Sequence, residues 1–334
     1  YYTQAASGHL QLMRQREPIA DLLANPATDP GLRAKLELAG EIRVFASDVL
    51  HLPDSASYTQ FAETGKPAIS WNVVAAPEFS LEPKTWCFIV AGCVPYRGYF
   101  EQDSAKTFAG KLKKKGYDVS VTPAAAYSTL GWFDDPLLDT MLAYGEAELA
   151  AVLFHEMAHQ QLYVKGDTEF NESFAGFVEE TGVQLWLESR GREEELNNWK
   201  NREQASRQFQ SLLAGYREAF ARLYASGLPG PRMRSEKARL FSRLETAYQE
   251  QVHGPWNGND YFGGWFKSEP NNARLALVQS YHGGTCAFEN LFRQSGRDMQ
   301  RFLQAAAIKS ELDAGARSDW LAQACPPIAS KGNL

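Results

Sequence analysis

The stretch that decides the fold is residues 146–164, EAELAAVLFHEMAHQQLYV. Leu149, Val152, Leu153, Phe154 and Met157 recur at close helical spacing, which predicts a helix buried along a wide apolar face. On it, His155 and His159 stand one turn apart, so both imidazoles leave the same face and can converge on one ion. Glu156, beside the first histidine, can reach a water on that ion without ligating it. This is the logic of H-E-x-x-H: two ring nitrogens hold Zn²⁺ and the carboxylate takes the proton from the bound water. The plainer alternative is a pair of surface histidines. The apolar neighbours weigh against it, because uncomplexed histidines are costly among them.

A single catalytic zinc needs a third protein ligand and leaves its fourth position open. In VKGDTEF, residues 164–170, Gly166 with Asp167 and Thr168 reads as a turn. The segment NESFAGFVEE, residues 171–180, then starts a second, antiparallel helix. Glu172 in its first turn faces back toward the histidines and is the expected third ligand, with Glu169, Glu179 and Glu180 competing. Glu179 shares the face of Glu172 and suits a hydrogen bond to a ligating histidine. The plainer reading of Glu172 is a helix-start glutamate answering the dipole.

Outward from these helices the chain of 334 residues reads as α+β. Residues 1–69 look helical, with Pro18 breaking the pattern and Asp29 placed as a cap. Residues 70–144 hold short β-branched and aromatic strands, in SWNVVAAPEFS, TWCFIVAGCV and YDVSVTPAAAYS, forming a small mixed or antiparallel sheet. A lysine-rich helix ending at Gly116 lies between the last two. Residues 145–190 carry the two metal-site helices, and 191–334 are helical, with two long charged helices at about 192–226 and 231–252. The glycine- and aromatic-rich HGPWNGNDYFGGW, residues 253–265, is either a lid or a loop packed on the core. The whole reads as one unit.

Composition narrows the function. A net charge of −6 argues against a nucleic-acid partner, which demands a basic footprint. No apolar run reaches the roughly 18 residues of a membrane span. Of the four cysteines, Cys87 and Cys93 could close a small loop in an oxidising compartment; four reduced, buried thiols are the alternative. His9, His51 and His253 have no ligand-like company.

H-E-x-x-H followed by a helix bearing N-E-x-x-A resembles the gluzincin metallopeptidases, in which two histidines and that glutamate bind zinc. Thirteen positions separate His159 from Glu172, fewer than in the thermolysin-like or large aminopeptidase members. Longer strings, WCFIVAGCVPYRGYF, AAYSTLGWFDDP, FHEMAHQQLYVKGDTEFNESFAGFVEETG and NNARLALVQSYH, are similar to a bacterial family of predicted aminopeptidases. The likeness runs from about residue 70 to 285 and more weakly to both ends. It implies a mostly helical, zincin-like fold and a peptide or protein substrate. Members typically begin with a lipoprotein signal, and YYTQAASGHLQLM is similar to the segment just after the lipidated cysteine. The resemblance therefore implies a periplasm-facing protein tethered to the membrane through an N-terminal lipid.

Attack on a peptide carbonyl creates an oxyanion that calls for a hydrogen-bond donor. Tyr281 and His282, in SYHGG, are the first choice, with Tyr163 and Tyr127 as alternatives. Upstream of the metal helix, Tyr127, Leu130 and Gly131 could present a strand edge to an extended peptide. Asp134 or Asp135 could hold a substrate ammonium group, or could simply build a turn with Pro136.

Overall fold

The computed structural model describes residues 12–88, 92–124, 134–276, 278 and 284–325. The chain opens with β1 (Arg16–Pro18), α1 (Ile19–Ala24), α2 (Pro30–Asp48) and β2 (Gln60–Ala62). Next come β3 (Ser70–Pro77), β4 (Trp86–Phe88), β5 (Gly92–Val94), β6 (Arg97–Tyr99), α3 (Gln102–Lys113), β7 (Tyr117–Ala124) and β8 (Leu137–Leu138). Helices then dominate: α4 (Glu146–Gln161), α5 (Thr168–Ser189), α6 (Glu193–Tyr224) and α7 (Gly230–His253). The short α8 (Asn272–Ala276), α9 (Thr285–Gln294), α10 (Met299–Ser310) and α11 (Ala314–Leu321) follow. The architecture is α+β and mostly helical, with sheets of two or three strands. No helix among the described residues is long and apolar enough to cross a membrane.

The chain divides into two compact units whose segments interleave. One draws on residues 68–125 and 197–279. Its sheet has β3 in the middle, antiparallel to β6 and β7 on either side. Val73, Ala75 and Val119 pack on Ala105, Ala109 and Leu112 of α3. Lys113, Lys114 and Lys115 are exposed, and Gly116 at φ 82° turns the chain out of the helix. The segment TWCFIVAGCV, read as one strand, is two: β4 and β5 pair antiparallel with Cys87 opposite Cys93, and the two cysteines are disulfide-bonded. Helices α6 and α7 share a core of Phe209, Phe220, Leu244 and Tyr248. Trp256 is 4% exposed in that core and its indole N–H donates to Gln208 at 2.7 Å, so this part of the glycine-rich loop packs inward.

The other unit draws on residues 9–67, 126–196 and 280–334. The N-terminal stretch read as helical carries a strand as well. Arg16–Pro18 pairs antiparallel with β2, and Pro18, having no N–H to lose, stands at the start of α1. β8 adds to the other edge of β2 in parallel. Asp29 caps α2, its carboxylate accepting from the Leu32 N–H at 2.9 Å. A second disulfide joins Cys286 to Cys325.

The heart of this unit is the α4–α5 hairpin. Its cross-helix partners, Val164 with Asn171, His155 with Glu179 and Glu146 with Trp186, step in opposite directions along the two helices, so the helices are antiparallel. Close approach depends on Gly182, where an added Cβ would lie 2.7 Å from the Phe154 ring and 2.8 Å from Leu50. Phe154 and Leu50 are fully buried, so neither has free space to move into. Gly182→Ala is therefore expected to destabilise the chain. Overpacking of about 1–3 kcal/mol outweighs a helix-propensity gain of about 1 kcal/mol. A lowered urea midpoint checks this; an unchanged midpoint would mean that the Phe154 ring swings aside without cost.

Candidate metal centre

The turn between α4 and α5 sets the geometry. Gly166 takes φ 84°, and the Asp167 carboxylate caps α5 by accepting from the Phe170 N–H at 3.0 Å. Arg317 holds the other oxygen of Asp167 at 2.7 Å. Asn171, 2% exposed, clamps the end of the turn in both directions. Its Oδ1 accepts from the Val164 N–H at 2.7 Å and its Nδ2 donates to the Val164 carbonyl at 2.8 Å. Glu172 follows directly, so its backbone position is fixed against the C-terminal end of α4. In the sequence Asn171 is only the first residue of N-E-x-x-A, with nothing there to show the clamp it forms. An asparagine beginning a helix beside a candidate ligand is the one local signal for a role there.

His155, His159 and Glu172 converge. The two histidine Nε2 atoms are 3.2 Å apart. Glu172 lies 3.4 Å from Nε2 of His155 and 3.8 Å from Nε2 of His159. Nδ1 of His155 donates to Glu179 at 2.9 Å, which leaves Nε2 as the nitrogen facing His159 and Glu172. His159 is buried, and its Nδ1 has no partner, so the polar contacts of its ring run through Nε2.

Charge is divided unevenly between the rings. Burial opposes the charged form of His155, but its contacts with Glu172 and Glu179 prevail and lift its pKa to about 10. Burial and then the neighbouring His155 push His159 down to about 4. Tyr163 leans its ring on His159, with centroids 6.3 Å apart, and burial together with Glu172 raises its pKa.

The donor set can be tested against a zinc ion. Bonds of about 2.0–2.2 Å at tetrahedral angles put ligand atoms roughly 3.3–3.6 Å apart. The two Nε2 atoms stand 3.2 Å apart, His155 Nε2 is 3.4 Å from one Glu172 oxygen and His159 Nε2 is 3.8 Å from the other, so either oxygen stands close to that range. Two imidazole nitrogens and one carboxylate oxygen are also chemistry that zinc accepts. The three residues fit.

The remaining candidates fall elsewhere or beyond description. Tyr127, Leu130, Gly131, Tyr281 and His282 lie outside the described residues. Asp134 is exposed and its carbonyl accepts from Arg16 at 3.4 Å. Asp135 is 1% exposed, with its main chain bonded to Ser57 and Tyr58. After the undescribed stretch, Gly284 donates its N–H to Ser173, the residue next to Glu172, at 3.2 Å.

No curated protein and no solved structure matches this chain. A family model described as "Putative aminopeptidase" matches residues 1–321, nearly the whole of the 334. On that match the chain belongs to the "Putative aminopeptidase" family.

Proposed function

We propose that the chain is a zinc-dependent aminopeptidase. The observation that carries this reading is the convergence of His155, His159 and Glu172, with Glu156 on the same helix next to the first ligand. His155 and His159 would hold one zinc ion through Nε2, and Glu172 through a carboxylate oxygen. Bound there, zinc would supply Lewis acidity, bringing the pKa of a water to about 7 and polarising a peptide carbonyl.

The chain's own residues do the rest. Glu179 accepts a hydrogen bond from the Nδ1–H of His155, which fixes the ring's tautomer and aims Nε2 inward. Glu156 is the general base, accepting a proton from the attacking water and passing it to the leaving amine. Tyr163, beside His159, supports the oxyanion role as an alternative to Tyr281 or His282. Peptide alignment is assigned to Tyr127, Leu130 and Gly131, and recognition of the free amino group to Asp134, which is exposed where Asp135 is buried. A periplasm-facing, lipid-tethered location belongs to the same proposal. Two disulfides, using all four cysteines, support an oxidising compartment.

The test is a matched panel of aminoacyl p-nitroanilides and longer peptides, each with a free and an acetylated amino terminus, given to the zinc-loaded chain. Cleavage confined to the free-amine members is the expected result. Cleavage of blocked peptides alone would remove the exopeptidase assignment in favour of an endopeptidase.

A further inference from the structure

Helix α3 and strand β6 build a groove that the metal centre does not use. β6 is an edge strand, and Arg97 and Tyr99, two residues apart, share one of its faces. On α3, Ser104, Thr107, Phe108 and Lys111 follow at i, i+3, i+4 and i+7, which sets them along one side of the helix. Tyr99 and Phe108 pack with Ala105, Ala109 and Leu112 and close the helix onto the strand. These six side chains and Asp103 line a groove of about 520 Å³. Small-molecule sites occupy roughly 300–1,000 Å³.

The lining suits an anion that carries an apolar part. Arg97 is half-buried, its guanidinium 4.8 Å from the centre of the Phe108 ring and 5.7 Å from that of Tyr99. Ring contacts engage the face of a guanidinium, whereas phosphate and carboxylate are bound at its N–H edge. Lys111 adds a second cation, and Ser104 and Thr107 add two hydroxyls, against the single carboxylate of Asp103. The surroundings reinforce this sign. Residues 97–115 hold Arg97, Lys106, Lys111, Lys113, Lys114 and Lys115 against Glu101 and Asp103, a net +4 in a chain of −6. The five lysines are exposed, and among the described residues none has a carboxylate at ion-pair distance. A field of one sign raises the local concentration of the opposite ion. A merely solvated lysine face would account for Lys113, Lys114 and Lys115. It would not account for Arg97 held on two rings in one groove with Lys111 and two hydroxyls.

We propose that this groove binds the phosphate of an organic phosphate monoester, with the organic part against Phe108 and Tyr99. Phosphate is preferred to carboxylate because its three terminal oxygens and higher charge engage two cations and two hydroxyls at once. The groove belongs to the unit that does not carry His155, His159 and Glu172, and its assignment does not depend on the peptidase reading.

Calorimetric titration of the full chain with phenyl phosphate tests this, alongside sedimentation with phosphatidylcholine vesicles made with and without phosphatidic acid. Phenyl phosphate is expected to bind one site per chain. Arg97→Gln and, at an exposed position that leaves the fold intact, Lys111→Gln are each expected to weaken it about tenfold or more, the loss of a hydrogen bond to a charged group. Removing two charges outside the groove, with Lys113→Gln and Lys115→Gln together, is expected to change binding by no more than about twofold in physiological salt. An equal loss in that control would reduce the groove to a diffuse field, and binding unmoved by Lys111→Gln would place the anion elsewhere; either overturns the proposal. So would no binding of phenyl phosphate, or benzoate binding as tightly. Phosphatidic acid vesicles held by the unaltered chain and released by Lys111→Gln assign the phosphate to a lipid headgroup. Phenyl phosphate binding without vesicle binding assigns it to a soluble ester.

Discussion

Glu156→Gln is expected to lower kcat by about 10²–10⁴-fold, the range that a positioned general base contributes, while the chain keeps its zinc. The substitution replaces a carboxylate by an amide of nearly the same shape. It removes the proton acceptor and leaves His155, His159 and Glu172 intact. The measurement pairs steady-state kinetics with metal analysis of the same sample. Full metal content with activity lost places Glu156 in the chemistry. Loss of both would make it a structural support for the ligands, and unchanged turnover would remove it from the mechanism.

Glu172→Ala is the second large effect. Losing a carboxylate from a set of three ligands should weaken zinc binding by more than the roughly 10–100-fold expected from Glu179→Gln, which disturbs only the orientation of His155. The comparison separates a ligand from its support. The pH dependence follows from the two rings. Without metal, His155 carries a proton up to a pKa of about 10, and zinc must displace it. His159, held near 4, has no proton to release above that pH. Zinc affinity is therefore expected to rise with pH across neutrality, by about tenfold per unit, until His155 titrates. A competition titration against a chelator at several pH values measures both effects.

The α4–α5 hairpin was legible because its signals are local. Apolar spacing predicted α4, Gly166 and Asp167 marked the turn, and one helical turn between His155 and His159 put both rings on one face. The long charged helices 193–224 and 230–253 were legible for the same reason. What escaped depends on contacts between distant segments. The three-residue strand Arg16–Pro18 exists because it pairs with Gln60–Ala62, which no local propensity encodes. TWCFIVAGCV looked like one strand because most of its residues are apolar, and the pairing of Trp86–Phe88 with Gly92–Val94 leaves no mark in such a run. Nothing in the sequence marks that residues 68–125 and 197–279 gather into one unit while the segments flanking them form another.

The most direct test of the account is a crystal of the zinc-loaded chain measured on either side of the zinc absorption edge. The account predicts one anomalous peak per chain, within coordination distance of Nε2 of His155, Nε2 of His159 and a carboxylate oxygen of Glu172. No peak there, or a Glu172 side chain turned away into solvent, would contradict it.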